Sequence, residues 1–275
     1  MDSKISAILI IYNEEKVIER CLKSLVGVAD EILIAHDGKC KDNTIKICKK
    51  YTNKVFIMPH RGRSAFHWIP LIKKAKHDWI LKLDADEFLS KDLKKNIKEL
   101  AKNDKADAYS FIWPWYGDGK YITKRWPRKT SLYRKSKISG MGFPAWDTPI
   151  VNGVTIKTDY VLEHKPFLGS DQTWKNFWKK AIKRYCKGQA EYSLVDFKSI
   201  EKYNYTPKDF PWSFRLRRRF PLLSAPLFSL AALIKIPLKD NAWREGKPVF
   251  IEAVQTSIYY LILGAYIHRL KLRKN

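Results

Sequence analysis

The chain has 275 residues, 45% of them hydrophobic, and carries 53 Lys and Arg against 28 Asp and Glu, a net charge of +25. Length and apolar fraction are enough for one large α/β domain with an appended segment and exclude global disorder. The charge stands at +6 over residues 1–110 and +19 over residues 111–275; it draws phosphates of any kind, in nucleic acid, anionic lipid or a nucleotide sugar, without choosing among them.

Ile5–Tyr12 is β-branched and almost continuously apolar, the pattern of a strand buried on both faces of a parallel sheet, and nothing before it resembles a signal peptide. From Glu14 to Leu25 the period changes: Val17, Ile18, Cys21, Leu22 and Leu25 share one helical face, with two acids in the first turn. Glu31–Ala35 reads as a second strand, Asp42 to Thr44 as caps for a helix through Lys50, and Lys54–Met58 as a third strand. Ala65–Lys76 reads as a helix despite Pro70, and Trp79–Leu83 as a fourth strand running into Asp84, Ala85, Asp86 and Glu87. Strands and helices alternating at this spacing predict a doubly wound, mostly parallel sheet with ligands beyond the strands' carboxyl ends.

After residue 108 the texture turns to short aromatic strands broken by Gly and Pro, including Tyr109–Trp115 and Ser131–Arg134. Beyond Asp171 it is helical and basic. Arg215, Arg217, Arg218 and Arg219 precede an apolar run from Phe220 to Ile236, and a second run, Val249–Ile267, is followed by Arg269, Lys271, Arg273 and Lys274. The first run is shorter than the roughly 20 residues of a bilayer span, and the second holds Glu252 and Gln255, so interfacial or re-entrant membrane association is expected ahead of two clean spans. A helical subdomain packed on the sheet is the alternative. The four cysteines have no paired spacing and read as free thiols in a reducing compartment.

Asp84 and Asp86 end a buried strand one residue apart, where a kink aims both carboxylates, with Glu87, into a cleft; such hard oxygen ligands suit Mg²⁺ or Mn²⁺ bridging a diphosphate. An acidic triplet by itself is equally a solvated turn, and the strand before it shifts the balance. Three ordered blocks, Ile8–Glu15 (ILIIYNEE), Asp30–Thr44 (DEILIAHDGKCKDNT) and Asp78–Phe88 (DWILKLDADEF), resemble the family 2 glycosyltransferases of the GT-A fold, over roughly residues 4–200.

The resemblance implies an inverting, metal-dependent enzyme with Mn²⁺ or Mg²⁺ as cofactor and a nucleotide sugar, UDP-linked, as donor. By motif position Tyr12 stacks on the base, Glu14 lies near the nucleoside and Asp37 bonds the base. Asp84 then lies near the nucleoside or ribose and Asp86 binds the metal at the diphosphate. Read as residues alone, Tyr12 is equally a strand-end core residue and Asp37 a turn former before Gly38. The family's downstream histidine corresponds to His164, at the metal or a phosphate, and its acceptor-side basic loop to Trp126–Arg134, with Arg128 on phosphate. Arg61 and Arg63 lie where relatives place a basic residue near the diphosphate. Inversion needs a carboxylate opposite the leaving group, and Asp147 is available in GFPAWDTP; the branch resembling lipopolysaccharide core and lipid-linked sugar transferases often has a His-Glu pair there, where this chain has Trp146-Asp147.

The expected organisation is a GT-A domain over residues 1–200, with a nucleotide-sugar half to 108 and an acceptor half beyond, then a basic helical region over 201–275. The expected acceptor is a lipid-linked saccharide or lipopolysaccharide-like glycan at the cytoplasmic face of a membrane with anionic lipids, with no nucleic acid partner. A nucleic-acid-binding protein and a nucleotidyltransferase are the rival readings; the latter generally has a glycine-rich loop where Asn13-Glu14-Glu15 stands.

Overall fold

A computed structural model describes residues 3–62, 64–117, 119–141, 148–166, 173–194 and 212–273. The described chain forms two compact units, one of residues 3–116, 127–141 and 148–166, the other of 117, 119–126, 173–194 and 212–273.

The first unit is built on β1 (Ile5–Ile11), β2 (Glu31–Asp37), β3 (Val55–Met58) and β4 (Trp79–Leu83), joined by α1 (Ile18–Leu25), α2 (Thr44–Cys48) and α3 (Ala65–Lys74). These four strands are mutually parallel in the order β3-β2-β1-β4. β1 and β4 are buried along their whole length, Ser6 and Lys82 included, which is why the rest of their sequences run apolar without alternation. Beyond β4 come β5 (Glu87–Leu89), α4 (Lys91–Lys102), β6 (Ala108–Ile112), a two-residue pair β7 (Tyr116–Gly117) and β8 (Lys120–Tyr121), and β9 (Arg128–Arg134). β10 (Ile138–Met141) pairs with β11 (Pro149–Val151), and β12 (Thr155–His164) closes the series. The large sheet has the order β3-β2-β1-β4-β9-β6-β12-β5: β9 runs antiparallel between β4 and β6, and β5 runs antiparallel to the end of β12.

Several boundaries differ from the sequence reading for local reasons. α1 begins at Ile18, four residues after Glu14, because the chain is first tied to the β2–α2 loop. Asn13 takes a left-handed φ of 54°, the Glu14 amide donates to Thr44 Oγ1 at 2.7 Å and the Glu15 amide to Asp42 at 3.3 Å. α2 is held by Asp42 Oδ1, which accepts the Thr44 amide at 2.9 Å, and Asn43 makes no side-chain cap bond. β6 stops at Ile112, before Pro114, and the Trp113 amide turns to the Pro127 carbonyl at 2.8 Å.

In the second unit the two apolar runs form helices, Pro221–Leu238 and Lys247–Leu272, joined by a 3₁₀ turn over Lys239–Glu245. They pack antiparallel: a Cβ added at Gly264 would stand 2.5 Å from Ala225 Cβ and 2.8 Å from the Pro221 carbonyl oxygen, and Ser229 and Ser257 share a hydroxyl contact of 2.5 Å. Only glycine permits the close approach at position 264. By length and composition both stretches suffice to cross a membrane.

Candidate active site

The carboxyl ends of β1, β2 and β4 carry the polar residues that the sequence placed there. Tyr12, just past β1, is 41% exposed, its ring 5.8 Å from His36 and 5.3 Å from His60. Asp37, the last residue of β2, is buried and accepts from the Arg61 amide at 2.6 Å, the Gly62 amide at 2.8 Å and His67 Nε2 at 2.8 Å. Burial pushes its carboxyl up, but these bonds outweigh it and hold the group below the ordinary range. Gly38, at φ 93°, lets His60 close over the strand end, since a Cβ there would meet His60 Cβ at 2.8 Å. The Tyr12–His60 face is thus built by a glycine and an aspartate.

Beyond β4 the acids separate into different environments. Glu87 is fully buried, so the expectation that it projects into the cleft beside the two aspartates fails. Its Oε2 accepts the Asp84 amide at 2.9 Å, while Oε1 accepts from Trp113 Nε1 at 2.6 Å and from Lys129 Nζ at 2.5 Å. Lys129 Nζ also donates to Asp84 Oδ2 at 2.6 Å. Burial raises the Asp84 carboxyl, but the charges of Lys129 and Lys82 reverse the shift and hold it well below the ordinary range; burial likewise raises Glu87, which stays above its usual value despite Lys129. Lys129 in turn is held protonated between the two carboxylates, against the opposing effect of its own burial.

Asp86 lies outside this arrangement. β5 pairs with β12 so that His164 stands opposite Glu87, which brings His164 Nε2 to 3.3 Å from Asp86 Oδ2. The imidazole is stacked on Trp113 with centroids 4.1 Å apart, and its Nδ1 is buried with no hydrogen-bond partner among the described residues. Asp86 and His164 are the two side chains that would hold a divalent ion here. Among the described residues no group of three or more His, Cys, Asp or Glu side chains is arranged to hold a metal. The residues therefore fit an ion held by the protein at two points and by a bound diphosphate for the rest, as is usual where Mg²⁺ or Mn²⁺ serves a nucleotide.

Glu14 completes the acid group. Burial first, then the charges of Asp86, Asp42 and Asp84, push its carboxyl up to about 7 from an ordinary 4.5. Between those values the folded state keeps a proton that the unfolded chain has lost, so stability falls as pH rises from 4.5 to 7 and the full penalty remains above 7. Glu14→Gln is therefore expected to stabilise the metal-free protein by about 1–2 kcal/mol at pH 8, allowing for solvent screening, and to change little at pH 4.5; urea denaturation at the two pH values measures it.

Two sequence expectations fall on Arg63 and Asp147, which lie outside the described residues. Arg128 is engaged on β12, donating to the Thr158 carbonyl at 2.6 Å and to Asp159 at 3.1 Å, while its neighbour Lys129 reaches the acids. Lys129, Trp113 and His60 escaped the sequence reading. The only signal for Lys129 was its place beside Arg128 in a basic segment.

The sequence profile of glycosyl transferase family 2 matches residues 6–154, over half of the chain. The chain belongs to that family. As a family 2 glycosyltransferase it is an enzyme of the GT-A fold, and membership decides against the nucleotidyltransferase reading. It is similar to an uncharacterized glycosyltransferase of Rickettsia bellii, 35% identical over 112 residues that make up 40% of this chain and 36% of that protein; the chain thus spans little more than a third of that relative. It is also similar to the lipopolysaccharide core biosynthesis glycosyltransferase LpsC of Rhizobium meliloti, 23% identical over 98% of this chain and 95% of that one. Among solved structures it is similar to residues 1–349 of TarS from S. aureus, 15% identical, with a TM-score of 0.42 and coverage of 98% of this chain and 92% of that chain.

Proposed function

We propose that the enzyme transfers a sugar, with inversion, from a UDP-linked donor to a lipid-linked saccharide or lipopolysaccharide-like acceptor at the cytoplasmic face of a membrane. The observation that carries this reading is the pairing of Asp86 with His164 at 3.3 Å beside an Asp84 already neutralised by Lys129. Family membership supports a glycosyl donor, and the similarity to LpsC over nearly the whole of both chains supports a lipid-anchored glycan acceptor.

In this reading Tyr12 stacks on the base. Asp37 accepts a base N–H; its carboxylate already accepts from the Arg61 amide, the Gly62 amide and His67, and His60 Nδ1, 3.3 Å from Oδ2, is the neighbour the base would displace. Glu14 and Asp84 face the ribose, and Asp86 with His164 holds the divalent ion. That ion supplies charge neutralisation for the departing diphosphate. Lys129 holds Asp84 and Glu87 in place and, with Lys82 at 4.0 Å from Asp84, offsets their charge, so that the excess negative charge facing the nucleotide belongs to Asp86. Arg63 contributes a cationic side chain at the phosphates, whereas Arg128 would first have to leave Thr158 and Asp159 on β12 to reach one.

Asp147 takes the acceptor hydroxyl's proton as the new glycosidic bond forms on the face opposite the leaving group. Asp147→Asn is expected to leave UDP binding unchanged and to lower turnover about 10²–10⁴-fold; undiminished turnover would assign the base to another residue. The reading as a whole is tested by release of UDP from a panel of UDP-sugars in the presence of Mn²⁺ and a membrane extract, set against GDP-, CDP- and dTDP-sugars.

A further inference from the structure

The helical hairpin of the second unit bears on how such an enzyme meets a membrane, and the argument rests on the membrane-acceptor reading above. The stretches Pro221–Glu245 and Lys247–Leu272 are each long and apolar enough to cross a bilayer. Their surroundings within the same unit do not suit crossing. Cys186 and Ala190 pack against Leu263 and Ile267, and the Tyr259 hydroxyl donates to Gln189 at 2.7 Å. Residues 259–267 begin at the middle of the helix Lys247–Leu272, the stretch that crossing would put in the hydrocarbon. The segment packed there carries Lys183 and Lys187, which flank Cys186 and are both exposed. Exposed lysines at that depth are costly, and crossing would require them.

The charges at the hairpin's ends are also distributed against crossing. At one end Lys271 Nζ lies 3.4 Å and 3.2 Å from the carbonyl oxygens of Arg218 and Arg219, gathering the arginine cluster and the basic C-terminal segment together. At the other end, around the turn, Lys239, Arg244 and Lys247 are exposed. The turn itself is fixed: Glu245 accepts the amides of Lys124 at 2.8 Å and Arg125 at 2.6 Å. A crossing hairpin has a cationic bias to one side, whereas this one is cationic at both ends.

The apolar surface left open is a stripe along each helix and not a belt around it, with Phe250, Val254 and Leu261 exposed on the second. On Pro221–Leu238 the exposed Leu222, Leu223, Leu227, Leu230, Ile234 and Leu238 fall on one side at helical spacing. The opposite side, with Ser224, Ala225, Ser229 and Ala232, is buried. Exposed Trp178, Trp212 and Trp243 add the amphipathic rings that favour the headgroup level.

We propose that the hairpin lies in the plane of an anionic membrane surface, its leucine stripe in the acyl boundary and the cations of both ends on the lipid phosphates, without crossing the bilayer. The full-length protein with Cys40→Ser, carrying NBD on Leu230→Cys or on Asn241→Cys, is added to preformed vesicles of phosphatidylglycerol with phosphatidylcholine, or of phosphatidylcholine alone. The expected result is flotation at least about tenfold greater with the anionic vesicles, quenching of the Leu230 probe by shallow spin-labelled lipid, and reduction of the Asn241 probe by external dithionite. Flotation with the Asn241 probe protected from dithionite keeps the membrane reading and overturns the in-plane geometry. Failure to float overturns the membrane reading itself. A stable dimer in lipid-free buffer whose Leu230 probe is unaffected by lipid quenchers overturns the proposal and assigns the stripe to a second copy of the chain.

Discussion

Lys129→Met is expected to lower the unfolding free energy by about 2–3 kcal/mol at pH 8, read from urea denaturation of the metal-free protein. Glu87 is fully buried, and its Oε1 accepts from Lys129 at 2.5 Å. Removing one partner of a buried ion pair leaves the other charge without compensation, a loss of about 3–5 kcal/mol where both are sequestered. Here Asp84 is 48% exposed and Lys129 20%, which places the effect below that range. The loss should shrink toward pH 5. Glu87 already titrates above its usual value, and without Lys129 it will take up a proton and become a neutral group that needs no cation. A pH-independent loss would mean that packing of the lysine stem, and not its charge, is what matters. Lys129→Arg should retain the larger share of stability because the charge remains. In the methionine variant the KM for the donor should rise, since Asp84 then adds uncompensated negative charge beside the diphosphate.

The second large effect is expected on chemistry and not on folding. Asp86→Ala should lower kcat/KM for the donor about 10²–10³-fold and abolish the dependence of donor binding on Mn²⁺, the scale of losing electrostatic stabilisation of a developing charge. Stability should change little, because the Asp86 side chain is 28% exposed and its 3.3 Å contact with His164 is opposed by its repulsion of Glu14. The comparison with Lys129→Met separates two roles that the sequence presents as one acidic cluster. One acid group is built into the sheet end, and the other is held ready for an ion.

How far the sequence discloses this arrangement follows from the range of the interactions. The four parallel strands and their helices were legible because each is a local pattern: continuous apolar runs for β1 and β4, a 3.6-residue apolar stripe for α1. β12 was missed because its residues alternate between exposed and half-buried through Thr155–Tyr160, with Lys157 and Asp159 interrupting any apolar signal. β5 was missed because three residues carry no period, and it exists only by pairing with the end of β12.

The site shows the same division. Asp84 and Asp86 could be picked out from one strand and one turn, as could Asp37 from β2. Lys129 could not, since its partners lie 45 and 42 residues away and nothing local marks a lysine that turns inward. The sequence reading put weight on Arg128, but the antiparallel insertion of β9 between β4 and β6 points the two neighbours in different directions. Arg128 goes to β12 and Lys129 to the acids. His164 was named through the family resemblance, yet its approach to Asp86 depends on the β5–β12 register, which no sequence pattern specifies.

Isothermal titration of the purified full-length protein with UDP, in Mn²⁺ and again in EDTA, tests the central claim most directly, with GDP, CDP and dTDP as controls. The account predicts binding of UDP that is tighter in Mn²⁺ than in EDTA, with the difference lost in Asp86→Ala. UDP affinity unchanged by EDTA, or a metal dependence that survives Asp86→Ala, would contradict it.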